Sequence, residues 1–186
     1  MSGSLIKIDE VTVSSTVANI ILGGGTSGSS GLNASMDSTY DVYMLKVVNC
    51  TPDTDGTGLA FRFTESGTPN TTGNYDYALK NLRAAAGFSN GSSTNQTQGL
   101  LTGGATGSGT NETANSIMYI FNANNSSEHT FTTIEGSIIS STGELRGGQG
   151  GNTFTSNSSV ECYLSPREGG IPRRLASLGT PSITFF

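Results

Sequence analysis

His129 is the only histidine in the chain, so a Ser-His-Asp or Cys-His nucleophile would have to be assembled around it. The sequence around His129 supplies no partner, and His129 opens a strand-like segment in the manner of a surface residue. Glycoside hydrolysis asks for less, two carboxyl groups about 5–10 Å apart. Asp76, Glu135, Glu144 and Glu161 are the carboxylates on strand-like segments from which such a pair would be drawn. Asp53-Thr54-Asp55-Gly56 opens like a calcium loop, because carboxylates two residues apart converge on a hard cation. The acidic residue that should close such a loop is replaced by Thr64, with Glu65 next to it. Asp53 and Asp55 are therefore the candidate metal ligands, set against the simpler reading of Pro-Asp-Thr-Asp-Gly as a turn. Cys50 and Cys162 stand far apart and, with His129, lack zinc-ligand spacing. They read as small buried apolar residues, with a disulfide across a sheet as the alternative. No cofactor is implied. Asn-x-Ser/Thr occurs at Asn33, Asn49, Asn70, Asn90 and Asn125, which the abundance of these residue types accounts for. Arg167, Arg173 and Arg174 are three of the nine basic side chains and gather near the C-terminus, where they are candidates for contacts between subunits.

The elements that must position these residues are short strands. Gly, Ser, Thr and Asn make up 92 of the 186 residues, only 12% are charged, and Trp is absent. Strong helix formers are scarce while Thr, Val, Ile, Tyr and Phe suit a pleated, half-buried surface, so an all-α protein is excluded. A net charge of −5 repels a phosphate backbone, and nucleic acid is not expected as a partner. No run reaches the roughly 18 apolar residues of a membrane helix, and Met1-Ser2-Gly3-Ser4 does not open like a secretory signal. Synthesis in the cytosol without membrane insertion is the expectation.

Such a polar composition is also compatible with disorder. The apolar residues are clustered, however, in blocks separated by Gly, Asn, Asp and Pro, which predicts folding into many short strands. Leu5–Val13 and Thr16–Leu22 are predicted to pair as an early hairpin, and 23–38 is a Gly/Ser loop. YDVYMLKVVN, from Tyr40, is apolar on both faces and reads as a central strand. In GLAFRFT, Leu59, Phe61 and Phe63 alternate with Ala60, Arg62 and Thr64, the pattern of one buried face. YDYALKNLRAAA reads as a strand ending in a short helical turn, Gly87–Thr94 as a loop, and Asn95–Thr102 as a polar edge strand. SIMYIFN resembles the central strand, and HTFTTIEGSIIS is a long strand with Gly136 as a bulge. ELRGGQGGNTF and SSVECYL supply two further strands, and a tail ends in the short apolar strand Ile183–Phe186. About ten short strands without strand-helix alternation predict an all-β, antiparallel β-sandwich, jelly-roll-like, over residues 1–165, followed by a Pro- and Arg-containing tail over 166–186.

STYDVYMLKVVNCTPDTDG, LAFRFTESGTPNTTGNYDYALKNLR, STNQTQ, YIFNANNSSEHTFTTIE and GGNTFTSNSS, spread over Leu5–Leu164, resemble a family of small virion structural proteins of marine tailed bacteriophages. Two departures are the Gly/Ser-rich 23–33 segment and the Arg- and Pro-containing tail in place of a final Gly-Thr-aromatic strand. The resemblance carries no catalytic motif. It implies a non-enzymatic virion component, displayed on the tail with a fibre or appendage, or on the capsid as a decoration protein. Its expected partners are other virion proteins, further copies of itself in a homo-oligomer such as a trimer, and a host-surface glycan. The rival from another class is a tail-associated polysaccharide depolymerase.

Overall fold

The computed structural model describes residues 5–22, 36–37, 39–65, 68–156, 161–166, 175–176 and 182–186. These form fourteen strands and no helix: β1 (Asp9–Thr12), β2 (Ile20–Leu22), β3 (Val42–Pro52), β4 (Leu59–Glu65), β5 (Thr68–Pro69), β6 (Tyr75–Arg83), β7 (Gly87–Gln96), β8 (Gly99–Leu100), β9 (Ala114–Phe121), β10 (Thr130–Ile139), β11 (Leu145–Phe154), β12 (Glu161–Pro166), β13 (Leu175–Ala176) and β14 (Ser182–Phe185). Eight strands form a large sheet in the order β1-β14-β3-β9-β10-β11-β6-β7, with β13 beside β3. The smaller sheet runs β2-β12-β4-β5, with β8 beside β4. All pairs are antiparallel.

The core lies between the sheets. Tyr43, Leu45, Met118, Ile120, Ile134 and Phe154 enter it from the large sheet, and Ile20, Leu22, Phe61, Phe63 and Leu164 from the small one. Aromatic rings join the layers: Phe61 meets Tyr75 edge-on at 6.3 Å between centroids, and Phe63 meets Phe154 at 5.4 Å. The Tyr75 hydroxyl also accepts the Phe63 N–H at 2.8 Å, so the polar tip of that buried ring is satisfied. Asn152 couples β11 to β8 by imitating a strand. Its amide oxygen accepts the Leu100 N–H at 2.9 Å, and its NH2 donates to the Leu100 carbonyl at 3.2 Å and to Thr132 Oγ1 at 3.0 Å.

The all-β antiparallel sandwich expected from composition is what forms. Its sheets are unequal, and β9-β10-β11 and β6-β7 lie as neighbours within one sheet, so the jelly-roll refinement draws no support from the strand order. The early hairpin is not formed: β1 joins the large sheet through β14 while β2 joins the small sheet through β12. Nor does β6 end in a helical turn. Leu79 and Leu82 are three apart, which on a strand sends them to opposite faces, and Leu79 is buried where Leu82 is exposed. Gly136 is no bulge, since β10 keeps unbroken register with both neighbours. It is a close approach instead: a Cβ there would lie 2.6 Å from the Asn115 carbonyl oxygen.

Two strands differ from their patterns for reasons of packing. On β4 the Ala60, Arg62 and Thr64 side is buried too, because Arg62 Nε donates to the Thr97 carbonyl at 2.9 Å and a guanidinium nitrogen lies 3.4 Å from Gln98 Oε1. Of the expected edge strand 95–102 only Gly99–Leu100 is a strand of its own, paired with β4 alone, while the expected loop Gly87–Thr94 is strand and with Asn95 and Gln96 forms β7, the long edge of the large sheet. The asparagine content has a structural use here, since the four non-glycine residues of left-handed backbone among those described are all asparagines. Asn49 (φ 53°) sits in the register shift of β3 between Val47 and Cys50, its N–H held by Asn115 Oδ1 at 2.9 Å. The end of the expected tail, Ser182–Phe185, lies between β1 and β3, with Phe185 stacked on Tyr43 at 5.4 Å.

Candidate functional site

The outward face of the large sheet is the candidate site, and its register defines it row by row. One row across the strands reads Lys46, Ile117, Glu135, Gln149, Lys80, Asn90. The next reads Tyr119, Thr133, Gly151, Ala78, Ser92, and beyond it come Phe121, Phe131, Thr153 and Asp76. The inward residues of β9, Met118 and Ile120, are fully buried, while the alternating Ile117 and Tyr119 stay exposed, as does Phe131 on β10.

The depth of this face comes from β11. Its LRGGQGGNTF sequence leaves Gly147 and Gly151 bare on the outward side between Leu145, Gln149 and Thr153, so stretches of low backbone are flanked by taller residues on either side. An open trough of about 800 Å³ results, with Tyr119 and Thr133 on one bank and Lys80, Asn90 and Ser92 on the other. A second, of about 840 Å³, runs past Phe131, Thr153 and Thr94. A third, of about 520 Å³, lies by Ile117, Lys46 and Leu82. Hydroxyls and amides that donate and accept, set beside exposed aromatic rings, can hold a polyhydroxylated chain by hydrogen bonds and stacking.

The other sequence candidates are placed as follows. Asp76, Glu135 and Glu144 do not make a hydrolytic pair among themselves. Asp76 and Glu135 share the outer face, but two strand spacings and four residues of offset put their Cα atoms about 16 Å apart. Asp76 is also engaged, accepting the Asn95 N–H at 2.8 Å. Glu161 belongs to the smaller sheet, on β12.

Glu144 is a structural anion. Arg83 forks onto it with Nε 3.1 Å from both carboxylate oxygens and a terminal nitrogen at 2.7 Å, and Arg146 Nε adds 2.8 Å. Those hydrogen bonds, Arg83's first and Arg146's second, hold its carboxyl down to about 2. A depressed carboxyl stabilises the fold above the ordinary glutamate pKa of about 4.3 and loses that contribution as pH falls through the folded value. Glu144→Gln is therefore expected to be less stable than the parent at pH 7. The gap should narrow below about pH 4 and close near pH 2, as read from urea midpoints at successive pH values.

Asp53 and Asp55 are exposed in the turn between β3 and β4, where Gly56 takes φ 71°. Asp55 accepts the Ser108 N–H at 3.1 Å, a clamp between loops. Among the described residues no group of three or more His, Cys, Asp or Glu side chains is placed to hold a metal ion. His129 is exposed just before β10. Cys50 is a free thiol, fully buried, and burial pushes it up to about 12, which keeps it from acting as a nucleophile. The backbone of Cys162 pairs with Leu22 and Phe63 on β12. Arg167, Arg173 and Arg174 lie outside the described residues, as do Asn33 and most of the 23–38 loop.

The outward Tyr119 and Phe131 were not singled out by the sequence. SIMYIFN is apolar at every position but its ends, so alternation could not tell its inward residues from its outward ones. Family models, curated proteins and solved structures contain no match to this chain.

Proposed function

We propose that this chain is a non-enzymatic component of a bacteriophage virion, displayed on the tail or capsid, that makes contact through the outer face of its large sheet. The observation that carries the contact surface is the row of hydroxyl and amide side chains flanked by exposed Tyr119 and Phe131 over the glycine-rich backbone of β11. The virion setting is supported by the resemblance of the blocks in Leu5–Leu164 to phage structural proteins. A host-surface glycan suits the face, because sugar hydroxyls match uncharged donors and acceptors while aromatic rings cover C–H faces. Many copies on one particle raise avidity by about 10² to 10⁴ over a weak single contact.

The test has two arms. Purified particles of a phage encoding the chain should contain it at stoichiometric levels, and its absence from them removes the virion reading. The isolated protein, arrayed on beads, should retain host-surface polysaccharide. Tyr119→Ala should weaken that retention roughly 2- to 10-fold, the worth of one aromatic contact. Retention unchanged by the substitution would move the contact off this face.

A further inference from the structure

Asn90-Gly91 is the one place in the chain where a glycine follows an asparagine. Asparagine is a thermolabile residue, because the backbone nitrogen that follows it can attack its side-chain amide carbon. A glycine in the next place removes the side chain that otherwise crowds that nitrogen and restricts its approach. The dipeptide is thus marked by sequence, and whether it reacts is decided by what the fold does with it.

The fold leaves it open. Asn90 is exposed on β7, and among the described residues no hydrogen bond engages its side chain. The side-chain amides of Asn70, Asn74, Asn115, Asn122 and Asn152, in contrast, are all tied to neighbours. Around Gly91 there is space: a Cβ at that position would meet nothing within 4 Å. β7 has no buried residue and pairs with β6 alone among the described strands, which puts it at the low end of local stability. This bears on the reaction directly. The attack needs the Asn90 ψ to leave the extended range of a strand, and β7 can open locally while the core stays intact.

We infer that Asn90-Gly91 is a site of spontaneous deamidation, which converts the Asn90 amide to a carboxylate at the edge of the outer face. The Gly91 nitrogen bonds to the Asn90 side-chain carbonyl carbon. The bond from that carbon to the amide nitrogen breaks, and the departing nitrogen takes the Gly91 proton and leaves as ammonia. Water then opens the cyclic imide. Addition at the side-chain carbonyl gives aspartate, and addition at the main-chain carbonyl gives isoaspartate, with no oxidant or reductant involved.

The product changes the face on which it stands. Asn90 is directly opposite Lys80 in the β6-β7 register, and both line the trough of about 800 Å³. A carboxylate there forms a cross-strand pair of opposite charge with Lys80, whose ammonium otherwise stands over the Phe88 ring at 3.9 Å. Isoaspartate also adds a carbon to the main chain of β7 and breaks its register with β6. The face therefore exists in a second form, one charge more negative than the −5 of the sequence. This inference does not depend on what the outer face contacts.

The test is incubation of the full chain at mildly alkaline pH, followed by ion exchange and tandem mass spectrometry. A more acidic species is expected to accumulate, with the amide-to-acid change at residue 90 ahead of every other described asparagine. Enzymatic methylation should detect isoaspartate in it. The folded chain should react within about tenfold of its rate in urea, because β7 opens locally. Gly91→Val, which the open space around Gly91 accommodates, should slow the reaction roughly tenfold or more by crowding the attacking nitrogen. Stronger protection by folding overturns the inference, as does earlier reaction at another described asparagine or a valine variant that reacts as fast as the parent. If that variant did not fold, the parent's rates in buffer and in urea would decide alone.

Discussion

Phe61→Ala is expected to lower the free energy of unfolding by about 3–5 kcal/mol, the largest effect of any single truncation proposed for this chain. The ring is fully buried at the junction of the two sheets. It meets Phe63 at 5.3 Å and Tyr75 at 6.3 Å, both edge-on, and Gly99 of β8 closes over it so tightly that a Cβ there would stand 2.3 Å from Cζ. Removing the ring deletes apolar burial and leaves a cavity bounded by rigid strands. The hydrogen-bonded frames of β4, β8 and β12 cannot collapse into it without losing register. Against a total stability of about 5–15 kcal/mol typical of a domain, this is a large share. A domain of this size should melt roughly 6–20 °C lower. The measurement is the urea midpoint with its slope: a midpoint that moves by less than the equivalent of 1 kcal/mol at unchanged slope would mean that Phe61 does not pin the sheets together.

Gly150→Ala is expected to cost about 1–3 kcal/mol by the opposite mechanism, overpacking. Gly150 lies between Ile134 on β10 and Leu79 on β6 in register. A Cβ at this position would be 2.2 Å from the Ala78 carbonyl oxygen and 2.8 Å from the Leu79 Cα. Both are backbone atoms of the adjacent strand, so relief requires β6 and β11 to part. Because β7 pairs with β6 alone among the described strands, amide exchange should quicken through β6 and β7 together. Gly147→Ala, in the same strand, is the control: its nearest neighbour would be 3.7 Å away, an ordinary contact, and its stability should stay within about 0.5 kcal/mol of the parent. Equal effects of the two substitutions would rule out the close approach as the cause.

Legibility in the sequence followed burial. The β3 block, the Leu59-Phe61-Phe63 alternation and the short C-terminal strand were visible because their apolar side chains enter the core at a period of two. β7 was hidden for the same reason: it puts nothing in the core, so its GFSNGSST reads as loop while backbone bonding to β6 makes it strand. Gly136 reads as a bulge in the sequence because a bulge and a close approach both call for glycine, and only the neighbouring strand tells them apart. Glu144 reads in the sequence as one of four carboxylates open to pairing, because the two arginines that engage it, one of them 61 residues away, are brought to it only by the fold.

By itself, then, the sequence determined the class of the protein: all-β, antiparallel, sandwich-forming, and low in charge. Those properties are sums over residue types and local periodicities, and they hold in any arrangement of the strands. Only the tertiary structure decided which β9 side chains face water, that β11 hollows the outer face, and that one long uncharged strand is left at an edge. These depend on register and strand order, where shifting a strand by one residue turns every side chain to the other face. Among the described residues the small polar ones serve accordingly in different places: some shape turns and left-handed corners, some line the open face, and some, such as Thr130 and Asn152, lie buried between the layers.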